Sequence, residues 1–125
     1  MTIAHQSEPT APLGFVRFNH GTDETSANDL LQNGVDQQHA AAWNGSGEFW
    51  ATTDHGRAEW FAMAHPVSPP AACFEFELSE SVLQVILQMN PPGAICNAPD
   101  DYEFLASSHS TLNQHMTNER VVPVP

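Results

Sequence analysis

Residues 72–78 constrain the fold most, because their side chains alternate strictly between two classes. Apolar residues fall on one side of the extended chain and mostly polar ones on the other: Phe74, Phe76 and Leu78 against Cys73, Glu75 and Glu77. This period of two is typical of a β-strand with one buried face. We therefore expect the phenylalanines to face a core and the glutamates to face solvent. One-sided strands favour an α+β fold over a parallel doubly wound sheet.

Short strands and helices alternate along the rest of the chain. Strands are predicted at 15–18, 48–52, 94–96 and 101–106, and the first ends at a polar corner, Asn19-His20-Gly21-Thr22. Helices are predicted to begin at Ser26, Asp54, Ser79 and Ser108, each a residue type that caps helix N-termini. Gly34 is expected to end the first helix in a left-handed conformation. The resulting order is β-α-β-α-β-α-β-β-α.

One compact domain is expected over 14–119, with a flexible N-terminal arm at 1–13 and a tail at 120–125. The arm is polar, contains Pro9 and Pro12, and shows no periodicity. The tail alternates Val and Pro after Arg120. Two interpretations of it are open: it lies along a sheet edge, or it is frayed.

The charge of the chain excludes several classes of partner. It carries 3 Arg, no Lys and 15 Asp and Glu, a formal charge of −12. Phosphate-binding proteins need clustered cations, so binding to nucleic acid or an anionic membrane is not expected. The longest dense apolar stretch, 82–87, is far shorter than the ~18 to 20 residues of a membrane span, and we expect a cytoplasmic protein.

Metal and thiol chemistry have no sequence signature here. The histidines show no H-x-H or H-E-x-x-H spacing, the cysteines no C-x-x-C, and no metal is expected. Cys73 and Cys96 are either buried small hydrophobes or a disulfide pair. The Gly45-Ser46-Gly47 segment lacks the lysine and the helix of a phosphate-binding loop.

Several short motifs occur in a connected order. They are F-x-H-G-T at 18–22, S-A-x-x-L-L-x-x-G-V-D at 26–36, the aromatic strand F-W-A-T-T-D at 49–54, A-x-W-F-A at 58–62 and Y-E-F at 102–104. This order resembles the ADP-ribosyltransferase superfamily, in particular the small bacterial branch akin to diphtheria toxin and the poly(ADP-ribose) polymerases. The resemblance covers about 15–113. It implies a compact split β-sheet with short helices around a cleft that holds NAD as substrate.

The resemblance assigns NAD-binding roles in the first two motif strands. His20 matches the histidine that hydrogen-bonds the adenosine ribose and helps to seat nicotinamide, with the Gly21 backbone facing the carboxamide and Thr22 beside it. Glycine allows a flat amide to approach the main chain closely. Trp50 stands where the family usually has a tyrosine that stacks on nicotinamide, and Phe49 is the alternative stacking residue. Thr52 matches the hydroxyl residue that often follows this tyrosine in the family.

Further roles come from the helix after the aromatic strand and from the last motif. Glu103 matches the glutamate that acts on the nicotinamide ribose, where a carboxylate stabilises the cationic sugar as nicotinamide departs. Asp101 lies on the same strand face as Glu103 and is a candidate for substrate contact or for positioning a nucleophile, or else a solvated turn carboxylate. Arg57 is the candidate partner of the pyrophosphate, or else a helix-surface residue near Glu59.

Three functions are open: the two described next, and a structural or interaction protein that shares only the motif pattern. The first is an enzyme that cleaves the nicotinamide-ribose bond of NAD and transfers ADP-ribose to an acceptor or to water. The second is a non-catalytic domain of the same fold that binds a nucleotide or a protein partner. The charge of −12 favours a protein acceptor over nucleic acid. If the chain acts as a toxin, a neutralising protein partner is expected as well.

Overall fold

The computed structural model describes residues 14–36, 48–64, 69–97 and 99–125. These residues form six β-strands and four α-helices, which confirms the predicted α+β class. The strands are β1 Phe15–Asp23, β2 Phe49–Thr52, β3 Ala71–Ser79, β4 Ala94–Asn97, β5 Asp101–Phe104 and β6 Thr117–Pro123. The helices are α1 Glu24–Asn33, α2 His55–Ala64, α3 Glu80–Leu87 and α4 His109–His115, the last preceded by a 3₁₀ turn at Ala106–Ser108. The predicted arm at 1–13 lies outside the described residues.

All six strands belong to one sheet with the order β4-β5-β2-β1-β3-β6. Every neighbouring pair is antiparallel. The tail, for which the sequence left two interpretations open, contributes to β6 at one edge, where Val121 pairs with Phe74. An edge position suits this segment because Pro123 cannot donate a ladder hydrogen bond.

The main core lies on one face of the sheet and is built from aromatic rings. Phe18 of β1 pairs with Phe76 of β3, and their rings are 5.3 Å apart. Phe104 of β5 meets Phe18 edge-on at 5.4 Å. Helices α1, α3 and α4 cover this face with fully buried Leu30, Ile86 and Leu112. Burial of each such side chain stabilises the fold by about 1.5 to 3 kcal/mol.

The opposite face of the sheet is polar but largely buried, which corrects the expectation for β3. Glu75 and Glu77 were expected to face solvent, yet each is only 1% exposed. Helix α2 lies over β1 and β3 on this face, and Arg120 reaches over it from β6. The alternation along β3 identifies the two faces correctly, but it carries no information about what covers the second one.

Strand β1 is longer than its sequence predicts. The polar residues 19–22, expected to form a corner, continue the strand to Asp23 and pair with β3 along its whole length. Asp23, rather than Ser26, caps α1, and its Oδ1 accepts a hydrogen bond from the main-chain N–H of Ser26 at 2.7 Å. Nine cross-strand pairs with β3 outweigh the local turn preference of Asn and Gly.

The N-termini of α2 and α3 follow the sequence, whereas Ser108 precedes α4 without a side-chain cap, since its Oγ donates to the main-chain oxygen of Leu105 at 2.8 Å. Asp54 accepts from the N–H of Arg57 at 3.1 Å, and Ser79 accepts from the N–H of Val82 at 3.2 Å. Gly34 ends α1 with a φ of 80°, which favours glycine, but its ψ of −174° is extended and not the left-handed helical conformation that was expected. Within the described segments, no helix has the length and apolar character needed to cross a membrane.

Candidate functional site

Strands β1 and β2 meet at one residue pair only. Asn19 lies opposite Thr52, and the continuation of that register would pair Gly21 with Trp50, where no ladder forms. Instead, Nδ1 of His20 hydrogen-bonds to the main-chain oxygen of Trp50. A carbonyl oxygen only accepts, so Nδ1 is the donor. The His20 side chain therefore bridges the two strands at the place where the sheet opens.

The candidate residues lie on two faces of the sheet. His20, Thr22 and Phe49 point to the core face, where the His20 and Phe49 rings are 4.6 Å apart. Thr22 is fully buried, and its hydroxyl has no hydrogen-bond partner among the described residues. Thr52 pairs with Asn19 and with Asp101, so its side chain lies on the opposite face. Trp50 and Glu103, two residues along β2 and β5, lie on that face as well. The structure therefore divides the predicted set into two groups.

Trp50 and Glu103 are directly opposite each other on β2 and β5. The indole Nε1 donates to Glu103 Oε1 at 3.1 Å, and both residues are half-buried. A hydrogen bond to a carboxylate is stronger than one between neutral groups, so it fixes the orientation of Glu103. Phe61 of α2 contacts the indole in an edge-to-face arrangement, with 5.6 Å between the ring centroids.

Arg57 and Asp101 form an ion pair beside this group. Arg57 Nε donates to Asp101 Oδ2 at 2.7 Å, and the guanidinium carbon lies 5.1 Å from the centre of the Phe61 ring. Asp101 is in β5 and only 2% exposed, so it is not a solvated turn carboxylate. Its Oδ1 has no hydrogen-bond partner in the part of the chain that the structure describes.

The Arg57 guanidinium is held along one side and open along the other. The side chain remains 45% exposed, and among the described residues its two Nη atoms have no hydrogen-bond or ion-pair partner. Nε is fixed by Asp101, and the cation lies over an aromatic ring, which is favourable. The arrangement presents two N–H groups that can donate to an anion.

Two of the predicted site residues have clear structural roles. The Oγ1 of Thr52 accepts from the N–H of Asp54 at 3.1 Å, where α2 is about to begin. A Cβ on Gly21 would lie 2.0 Å from the main-chain oxygen of Ala58, so only glycine allows α2 to pack this closely on β1. The Thr52 contact is local, since it joins residues two apart, whereas the Gly21 contact depends on where α2 lies and is not visible in the sequence.

A buried ionic network anchors α2, and the sequence did not predict it. Glu75 Oε1 accepts from Arg120 Nε at 2.8 Å, and Glu75 Oε2 lies 3.0 Å from His55 Nδ1. Glu77 pairs with Arg17 and accepts from Asn118 Nδ2 at 2.8 Å. Since His55 begins α2, the network ties the helix that carries Arg57 and Phe61 to β3.

The sequence analysis also missed Phe61 as a site residue. Its position could have indicated this role, because it follows Arg57 by four residues on one helix face.

The two cysteines are free, with Cys73 buried and Cys96 exposed. Burial raises the pKa of Cys73 to about 12, and the nearby carboxylates of Glu75 and Glu59 act in the same direction. A thiol in this state is a poor nucleophile. In the described segments, no group of three or more His, Cys, Asp or Glu residues is arranged to hold a metal ion.

A comparison with protein-family models finds no match, and comparisons with curated proteins and with solved structures find none either.

Proposed function

We propose that this chain is an ADP-ribosyltransferase-like protein that binds NAD beside Trp50, Glu103 and Arg57, on the face of the sheet where α2 lies, and cleaves its nicotinamide-ribose bond. The position of Trp50 carries the proposal. Its main-chain oxygen accepts from His20, and its indole N–H donates to Glu103. Trp50 thereby connects two residues that the family resemblance assigns to NAD, although they lie far apart in the sequence and on opposite faces of the sheet.

The proposed chemistry places Glu103 beside the nicotinamide ribose. Nicotinamide departs with the electron pair of the bond between its ring nitrogen and C1′, which leaves an oxocarbenium-like sugar. The carboxylate of Glu103 stabilises that charge as it develops. A lone pair of the acceptor then forms the new bond at C1′, and the acceptor releases a proton. Water as the acceptor gives free ADP-ribose.

Arg57 is the proposed partner of the pyrophosphate. An electronegative protein needs at least one donor group near a bound pyrophosphate, and the two open Nη atoms of Arg57 are suited to that role. In this proposal Asp101 holds Arg57 in place and does not itself contact the substrate. This assignment differs from the one implied by the resemblance, because Asp101 is buried and bonded to the guanidinium.

The acceptor in this proposal is a protein group or water. A formal charge of −12 repels the phosphates of nucleic acid, and each described arginine lies against a buried carboxylate. The three arginines, all within the described segments, therefore form no clustered cationic surface for an RNA or DNA acceptor.

The test is NAD binding followed by nicotinamide release. NAD at millimolar concentration is expected to raise the melting temperature, since a ligand that binds only the native state stabilises it. ADP, which lacks the nicotinamide ribose, serves as the control for non-specific anion binding. Release of nicotinamide, measured by chromatography, supports the enzyme. Binding without release supports the non-catalytic domain of the same fold, and the absence of both rejects the proposal.

A further inference from the structure

We infer that Trp50 is a positioning residue for Glu103, and that it acts through the hydrogen bond of its indole N–H rather than through stacking of its ring. This inference deepens the proposed function and rests on it. The family resemblance gives Trp50 the task of stacking on nicotinamide. The observed contacts give it a different task, because its one polar atom is 3.1 Å from a carboxylate oxygen of Glu103.

The indole is held in this orientation from more than one side. Phe61 packs against it edge-to-face, with an angle of 62° between the ring planes. The main-chain oxygen of Trp50 is also bonded to His20, which fixes the backbone of the same residue. Rotation of the ring towards a stacking position would break the bond to Glu103 and the contact with Phe61 together.

The hydrogen bond also distinguishes the two oxygens of Glu103. Oε1 accepts from Trp50, whereas Oε2 has no hydrogen-bond partner among the described residues. Oε2 is therefore the oxygen that remains for a ribose hydroxyl or for the developing cation. Without the indole N–H, a half-buried glutamate has several accessible rotamers, and a catalytic carboxylate that is displaced by about 1 Å can lose up to about 10² in rate.

The decisive variant is Trp50→Phe, which keeps an aromatic face and removes the N–H. We expect kcat for nicotinamide release to fall roughly tenfold or more, while KM for NAD stays within about threefold of wild type. Trp60→Phe is the matched control: Trp60 is 56% exposed on α2 and contacts Phe61 through its ring, which phenylalanine keeps, so kcat and KM of this variant should be unchanged. If Trp50 instead stacks on nicotinamide, Trp50→Phe keeps the aromatic face and should retain the wild-type kcat. That result would overturn the inference.

A double variant tests whether Trp50 acts through Glu103. If it does, Trp50→Phe combined with Glu103→Gln should be no slower than Glu103→Gln alone, because residues that act as a unit are non-additive. Rate losses that multiply would show that Trp50 acts independently of Glu103, which contradicts the inference.

An additional measurement needs no enzymatic activity. The exchange of the Trp50 indole proton with solvent, followed by NMR, should be slow in the wild type and about tenfold faster in Glu103→Ala. The indole proton of Trp60 in the same spectra is the internal control. Wild-type protein that releases no nicotinamide contradicts the proposed function. Unchanged exchange of the Trp50 proton in Glu103→Ala contradicts the positioning role, whatever the activity.

Discussion

Each arginine of the chain lies against a buried carboxylate. The pairs are Arg17 with Glu77, Arg120 with Glu75, and Arg57 with Asp101. Burying a carboxylate without a partner costs free energy, so each of the few arginines of this acidic chain is paired with a buried carboxylate. The composition gives the number of these charged groups but does not show which of them pair, because the partners are 60, 45 and 44 residues apart in the sequence.

His109 makes the stability of the protein depend on pH. Its side chain is buried, which lowers its pKa, although a hydrogen bond to the Phe104 carbonyl and the charge of Asp36 oppose the shift. Above its ordinary pKa of about 6.5, His109 is neutral in both the folded and the unfolded chain. As the pH falls below that value, the unfolded chain takes up the proton first, so the free energy of unfolding decreases.

We therefore expect urea denaturation to show lower stability at pH 5.5 than at pH 7.5. The decrease should be smaller in His109→Gln, which removes this titration while keeping a polar side chain. The difference between the two proteins across this interval isolates His109 from the other histidines. An equal decrease in both proteins would contradict the assignment.

The helix N-termini at Asp54 and Ser79 could be predicted from sequence, whereas the burial of whole faces could not. Capping by Asp54 and Ser79 involves residues only three apart, and such local hydrogen bonds are encoded in a few neighbouring residues. The second face of β3 depends on α2 and β6, which come from distant parts of the chain. The extension of β1 through Gly21 likewise depends on its pairing with β3.

Gly21 offers a test of how closely α2 packs on the sheet. A Cβ at this position would meet the main-chain oxygen of Ala58 at 2.0 Å, so Gly21→Ala must displace α2. We expect a loss of about 1 to 3 kcal/mol in the free energy of unfolding. Gly56→Ala is the matched control, because Gly56 lies in α2 with its nearest neighbour at an ordinary 3.5 Å.

The control should be close to neutral or slightly stabilising, since alanine favours a helix by up to about 1 kcal/mol over glycine. Chemical denaturation of both variants and of the wild type provides the measurement. Equal stabilities for the two variants would show that α2 does not rest on Gly21.

For the molecule as a whole, the sequence selected candidate residues that the structure divides between the two faces of the sheet, and it could not predict that division. Trp50, Glu103 and Asp101 were selected by resemblance and Arg57 as a cation for the pyrophosphate, and these four residues lie together in the structure. His20 points to the other face, because the single pair of Asn19 with Thr52 sets the register between β1 and β2. A register of this kind is a long-range property, and a shift of one residue would exchange the faces.

The central claim is that Glu103 acts on the reacting sugar of NAD. Glu103→Gln keeps the shape of the side chain and removes its charge. A group that acts mainly in the transition state contributes little to ground-state binding, so the affinity for NAD should change by no more than a few fold. Turnover should fall by roughly 10² or more.

The most direct measurement is nicotinamide release at saturating NAD by wild type, Glu103→Gln and the control Glu119→Gln, which alters an exposed residue of β6 in the same way. Thermal melts confirm that all three proteins are folded. We predict wild-type rates for Glu119→Gln and a loss of roughly 10² for Glu103→Gln. Equal rates for Glu103→Gln and the wild type would contradict the account.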